Sequence, residues 1–161
     1  MLTASPILAP DFTLPTHAGG ALTLSDSVGP LGAVLVFFRG HWCPYCRRYL
    51  GKVQANYARF VERGATVIGV SPEPAATSAG LARELGLAFP LCSDADCAVI
   101  ERYGVRNNFA GAAPFLPHPA VVVMGADRAV QFKSVDRNYK RRTPVPSLFR
   151  ALDQIEAAGR H

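Results

Sequence analysis

Six apolar residues in a row, Ala33-Val34-Leu35-Val36-Phe37-Phe38, give way within five positions to Cys43-Pro44-Tyr45-Cys46. A run of that length, unbroken by polar residues and rich in β-branched and aromatic side chains, has the pattern of a strand buried on both faces. Beyond the cysteines the chain carries Leu50, Val53, Tyr57, Phe60 and Val61 on one helical stripe as far as Arg63, where Gly64 ends it. A buried strand that runs through a C-x-x-C turn into a long helix predicts a parallel neighbour reached by a right-handed crossover.

That neighbour is expected at Thr66-Val67-Ile68-Gly69-Val70, closed by Ser71-Pro72-Glu73-Pro74 and followed by a helix over residues 75–85 that stops at Gly86. Phe89-Pro90-Leu91-Cys92 is a short extended piece, and Ser93-Asp94 can cap a helix through Val99 to Tyr103, with Gly104 as its stop. A proline-rich loop (Pro114, Pro117, Pro119) leads into Ala120-Val121-Val122-Val123-Met124. Ala129-Val130-Gln131-Phe132 follows so closely that the two strands form an antiparallel hairpin. An amphipathic helix over residues 148–158 completes the chain. Upstream, Ala9 to Pro15, Gly19-Gly20 and the alternation Ala21 to Ser25 predict a β-hairpin.

The order βαβα followed by ββα predicts an α/β fold, a mixed sheet flanked by helices, with an N-terminal β-hairpin; it is the thioredoxin-like architecture. A flavodoxin-like sheet would continue in parallel βα units, and the C-terminal hairpin argues against it. At 161 residues, with no repeat or linker, a single domain over 1–161 is expected.

Composition narrows the function. With 49% hydrophobic and 18% charged residues, disorder is excluded as a description of the whole. The longest apolar stretch, Gly32 to Phe38, falls far short of the ~20 residues needed to span a bilayer, so no membrane partner is expected. Met1 to Asp11 has no Lys or Arg ahead of an apolar run and is interrupted by Pro6 and Pro10. No secretory leader is expected, and a cytoplasmic location follows. The net charge of +5 is not arranged as basic residues interleaved with aromatics, so no nucleic-acid partner is expected. Four cysteines in such a chain point to catalysis or metal rather than to a disulfide framework.

The spacing of Cys43 and Cys46 favours catalysis. At a helix N-terminus the first thiol meets unpaired backbone N–H groups and the positive helix end, both of which stabilise a thiolate. Arg39, Arg47 and Arg48 add in the same direction if their heads reach the sulfur, and Pro44 suits the first helical position. The second thiol can attack a mixed disulfide or a sulfenic acid on its neighbour. A zinc knuckle with Cys92 and Cys97 is the metal alternative, disfavoured because such pairs sit on turns of small modules; no metal is expected. Cys92 is expected to be a buried thiol and Cys97, on a first helical turn, a more exposed one.

Val36-Phe37-Phe38-Arg39-Gly40-His41-Trp42-Cys43-Pro44-Tyr45-Cys46 resembles the F-x-R-G-x-W-C-P-x-C signature of the peroxiredoxin-like branch of the alkyl hydroperoxide reductase/thiol-specific antioxidant family, within the thioredoxin superfamily. The likeness extends to Ala9-Pro10-Asp11-Phe12-Thr13-Leu14, Val67 to Ser71, Ser93-Asp94 and Tyr103-Gly104-Val105. Val135-Asp136-Arg137-Asn138-Tyr139-Lys140-Arg141-Arg142 is similar to a V-D-x-x-Y-x-x-R stretch of that branch.

The resemblance implies an antioxidant oxidoreductase: peroxide reduction through a Cys43/Cys46 dithiol/disulfide cycle, with a thiol reductant such as a thioredoxin or glutathione system. A homodimer is compatible with it. A thioredoxin-type protein disulfide reductase is the alternative enzyme, and a non-catalytic redox sensor or zinc-binding protein the alternative outside enzymes. No haem, flavin or nucleotide fingerprint is present, so no cofactor is expected.

The family's P-x-x-x-[TS]-x-x-C motif would place Cys46 on the attacking cysteine, Cys43 on the Thr/Ser and Arg39 on the Pro. His118 then stands where an Arg near the later strand is expected, and Arg39 is the candidate to replace it. A thioredoxin-like alignment instead makes Cys43 the exposed attacker and Cys46 the buried resolver. It sets Pro119, cis in thioredoxins, opposite the cysteines, and lays Trp42 over one side of the disulfide. The helix-terminus argument favours Cys43. His41 is expected to be a partly exposed loop residue.

Overall fold

The computed structural model describes residues 5–108 and 116–159; Pro114 of the proline-rich loop lies outside them. In chain order they form β1 (Thr13–Pro15), β2 (Ala21–Thr23), α1 (Leu24–Ser27), β3 (Gly32–Phe37), α2 (Pro44–Ala55), α3 (Tyr57–Glu62) and β4 (Ala65–Ser71). There follow α4 (Ala75–Leu85), β5 (Leu91–Ser93), α5 (Ala98–Arg102), β6 (Ala120–Gly125), β7 (Val130–Val135) and α6 (Val145–Gly159).

Every residue of β3 is buried, as its apolar run requires. It is the middle strand of the five-stranded order β5-β4-β3-β6-β7. β4 pairs with it in parallel and β6 antiparallel, so that Phe37 lies between Val70 and Ala120. The antiparallel β6 and β7 exclude the flavodoxin-like arrangement and make the α/β sheet mixed. Strand alternation then divides the core in two. Val34, Val36 and Phe38 face α2, α4 and α6, with Leu50, Leu81 and Leu148 among their partners. Ala33, Leu35 and Phe37 face the N-terminal segment and α5 through Phe12, Leu24 and Ile100. Among the described residues no helix is long and apolar enough to cross a membrane.

The N-terminal hairpin is present as β1 and β2, but it is shorter than expected: Leu24 and Ser25 already belong to α1. The helix expected to run unbroken to Arg63 is interrupted at Asn56, which leaves the helical region at ψ 9°. Its side-chain amide donates to the Lys52 carbonyl at 2.9 Å, the local competition by which Asn unsettles helix interiors. Beyond the break Phe60 stays buried, whereas Val61, expected on the apolar stripe, is 54% exposed.

Asp94 does cap α5, its carboxylate accepting from the backbone N–H groups of Val99 (3.3 Å) and Ile100 (2.7 Å). Cys97, expected to be exposed, is buried and sits before α5 with a left-handed φ of 61°. Gly86 closes α4 in the left-handed conformation at φ 64°, a position that suits a residue without Cβ.

Candidate active site

Cys43 caps α2 from an extended conformation, with Pro44 at the first helical position. Its sulfur accepts from the Cys46 backbone N–H at 3.4 Å, and its own N–H donates to the Gly40 carbonyl at 3.2 Å. One turn on, the Cys46 sulfur accepts from the Arg39 backbone N–H at 3.4 Å. The two thiols are thus held at the junction of β3 and α2 by the chain's own amides, and both are free cysteines. Both are also 1% exposed, so the expectation that Cys43 is the more accessible of the two is corrected.

They differ in acidity. A hydrogen bond from the Cys46 thiol, the Cys46 backbone N–H and the charges of Arg142 and Arg39 together outweigh burial, and hold Cys43 at about 5. Cys46 is pushed up, first because it donates that bond and then because it is buried. The directions favour the thiolate on Cys43 over Cys46.

The guanidinium at the sulfurs belongs to Arg142. Its Nη2 lies 3.1 Å from Cys46 Sγ and 3.9 Å from Cys43 Sγ, and its Nη1 donates to the backbone carbonyls of Tyr139 and Arg141. Sequence reasoning gave this place to Arg39 or His118. The Arg39 guanidinium instead lies between the rings of Trp42 and Tyr139, 4.9 Å from each centroid, and acts on Cys43 only through its charge. The described bond of His118 runs from its backbone N–H to the Val105 carbonyl at 2.7 Å, and burial, with the Arg137 charge, lowers its pKa; the hydrogen bonds described at the two sulfurs come from Arg142 and backbone amides. The signal for Arg142 was the last residue of the V-D-x-x-Y-x-x-R stretch.

Pro119 lines a cavity of about 10 Å³ together with Tyr49, Asp136 and Arg142, which puts it beside the site. No described peptide bond is cis, so the thioredoxin-like cis proline does not form at Pro119. Trp42 stands half-exposed at the rim. The loop bearing it is pinned by Glu73, a buried carboxylate that accepts from the His41 backbone N–H at 2.8 Å and pairs with the His41 ring. Glu73 is a residue the sequence reading missed. A Cβ at Gly40 would collide with Trp42 Nε1 and come to 3.0 Å from Glu73 Oε1, so a side chain there would have to displace the Trp42 ring. Cys92 is buried as expected, and it lies with Cys97 on the other face of the sheet from Cys43 and Cys46. The four thiols therefore do not converge into a zinc site.

With this geometry in place, the relatives fall in line. A family model described as AhpC/TSA matches residues 8–133. The chain belongs to the AhpC/TSA family. It is 31% identical over 105 residues to the chloroplastic peroxiredoxin Q of Triticum aestivum, an alignment covering 65% of this chain and 48% of that one. It is equally 31% identical to the thiol-disulfide oxidoreductase ResA of Halalkalibacterium halodurans, over 61% of this chain and 55% of that protein. The chain spans about half the length of these curated relatives. Among solved structures it superposes on peroxidoxin BcpB from Mycobacterium tuberculosis with a TM-score of 0.77 and 26% identity, covering 94% of this chain and 96% of that one. The expected thioredoxin-like, peroxiredoxin-type fold of this AhpC/TSA protein is thereby established.

Proposed function

We propose that this protein is a thiol peroxidase that reduces peroxides through Cys43 and Cys46. The observation that carries the reading is the Arg142 guanidinium, within hydrogen-bond reach of both buried sulfurs and placed to hold an oxygen on which charge develops. The Cys43 thiolate attacks one peroxide oxygen and the O–O bond breaks. The other oxygen leaves, takes up a proton as alcohol or water, and Cys43 becomes a sulfenic acid. Cys46 then displaces water from that sulfur to form the disulfide, and two equivalents of a thiol reductant restore the dithiol. Four cysteines, two of them in a C-x-x-C turn rather than a disulfide framework, suit a reducing compartment such as the cytoplasm.

The test is one equivalent of hydrogen peroxide added to the reduced protein, followed by mass analysis. A Cys43–Cys46 disulfide in the wild type and a trapped Cys43 sulfenic acid in Cys46→Ser are expected. A sulfenic acid on Cys46 in Cys43→Ser, at the wild-type rate, would instead support Cys46 as the attacker, which the shorter distance from Arg142 favours.

Protein disulfide reduction is the second reading. The likeness to a protein named as a thiol-disulfide oxidoreductase and the half-exposed Trp42 beside the pair favour it. Insulin reduction without peroxide consumption would select it.

A further inference from the structure

We propose that the small cavity beside Arg142 is a binding site for one water molecule, and that Tyr49 is a positioning residue which, through that water, holds the Arg142 guanidinium against the two sulfurs. This inference rests on the reading of Arg142 as the group that stabilises the thiolate and the developing oxyanion.

The cavity lies where four parts of the chain meet. β3 supplies Phe37 to its wall, α2 supplies Tyr49, the approach to β6 supplies Pro119, and the segment after β7 supplies Asp136 and Arg142. The Asp136 backbone N–H donates to the Pro119 carbonyl at 2.8 Å and fixes one side of that wall. At about 10 Å³ the cavity has the room that a single water needs and no more.

Its polar lining suits such a guest. Tyr49 is 5% exposed, and its hydroxyl, sealed from solvent, has no hydrogen-bond partner among the described residues. Burial pushes the pKa of that hydroxyl up and keeps it a donor; the charges that reach it are those of Arg142 and Asp136. A buried donor left unpaired is unfavourable, and a water in the cavity accepts from it. The same water donates to the Asp136 carboxylate and accepts from the Arg142 Nε–H, which the described bonds of the guanidinium leave over. Three such bonds are what a buried water typically makes.

The link matters because of where the other bonds of Arg142 go. The carbonyls that hold Nη1 belong to Tyr139 and Arg141, in the same loop as Arg142 itself. They fix the guanidinium to its own loop but not to α2, which carries Cys46 and is capped by Cys43. Tyr49 stands three positions after Cys46 on α2, and therefore on the same helix face. A water between Tyr49 and Arg142 ties the guanidinium to that helix, one turn from the sulfur it serves. Asp136, the second residue of the V-D-x-x-Y-x-x-R stretch, gains a role by the same water.

The experiment follows Cys43 alkylation across pH and unfolding in urea, both on the reduced protein. Tyr49→Phe keeps the ring and changes no charge, so an effect on the thiolate comes from geometry. Its alkylation midpoint should rise, by less than in Arg142→Met, and its peroxide consumption should slow about two- to tenfold, as loss of one hydrogen bond implies. Its urea midpoint should fall, whereas removing a buried hydroxyl that has no partner leaves stability level or raises it. Added to Arg142→Met, Tyr49→Phe should leave the alkylation midpoint where it was, because its effect runs through the guanidinium. Asp136→Ala removes another partner of the water. Loss of that negative charge alone would lower the alkylation midpoint, and loss of positioning should raise it. The proposal is overturned by an alkylation midpoint unmoved in folded Tyr49→Phe, or moved equally far in the Arg142→Met background. A urea midpoint that stays level or rises in Tyr49→Phe, or a lower alkylation midpoint in Asp136→Ala, overturns it as well. Wild-type protein that fails to consume peroxide would defeat the peroxidase reading alone, since neither alkylation nor urea titration depends on peroxide.

Discussion

Arg142 Nη2 lies 3.1 Å from Cys46 Sγ across 96 positions of sequence, and it reaches the Cys43 sulfur as well, at 3.9 Å. The segment between β7 and α6 brings it there, and the carbonyls of Tyr139 and Arg141 fix the plane of its guanidinium. A permanent cation so placed stabilises a thiolate and, during reaction, an oxyanion.

Arg142→Met should therefore raise the pH midpoint of Cys43 alkylation from about 5 toward the ordinary thiol range. It should also slow peroxide consumption about 10²-fold or more, the usual cost of losing an oxyanion donor. Arg142→Lys keeps the charge but loses the planar fork, and should fall between the two. An alkylation midpoint unmoved in folded Arg142→Met would take this residue out of the site.

Arg39→Met separates charge from contact. The Arg39 guanidinium touches two aromatic rings and no sulfur, while its backbone N–H, which any residue supplies, holds Cys46. The substitution should move the alkylation midpoint upward by less than Arg142→Met does. It should cost about 0.5–2 kcal/mol of stability from the lost cation–π contacts. Urea titrations and alkylation profiles on the same sample decide it, and a larger midpoint change in Arg39→Met than in Arg142→Met would reverse the roles.

These two arginines mark how far the sequence could be read. The strand over 33–38 and the helix starting at Pro44 were legible because both are local: apolar run length and a cap at an N-terminus are written in adjacent residues. The cysteine pair followed for the same reason. Arg142 was not assigned, although its motif was visible, because which of several arginines reaches a sulfur depends on how a distant loop folds over the sheet edge. Cys97 was misjudged on similar grounds: first-turn helical positions are often exposed, but here the turn dips into the core beside Val99 and Ile100. Asn56 broke a helix whose apolar stripe continued across it, since a side-chain amide bonded to Lys52 leaves no trace in hydrophobic periodicity.

The acidity of Cys43 ties stability to pH. Its folded value of about 5 lies below its ordinary value of 9.0, so the folded state holds fewer protons between the two. The stabilisation is complete above the unfolded value and is lost as pH falls through about 5. Cys46, raised in the fold, acts only at the alkaline end, where it opposes stability once the unfolded thiol ionises. The unfolding free energy of the reduced wild type, less that of Cys43→Ser, should climb from pH 5 to 8.5. A flat difference would mean that no thiolate rests on Cys43.

Gly40→Ala tests the turn that carries the site. The added methyl would collide with Trp42 Nε1 and press on Glu73 Oε1, and of these two only the half-exposed Trp42 has room to move. Trp42 should therefore swing off Arg39, becoming more open to acrylamide quenching, at a cost of about 1–3 kcal/mol typical of overpacking. The clash is specific to the indole, so Gly40→Ala should cost less in a Trp42→Ala background than in the wild type. The difference between those two costs is the coupling energy of residues in contact. Equal costs in both backgrounds would place the strain at Glu73 instead, and Glu73→Ala, which frees the His41 backbone N–H, would then be the variant that relieves it.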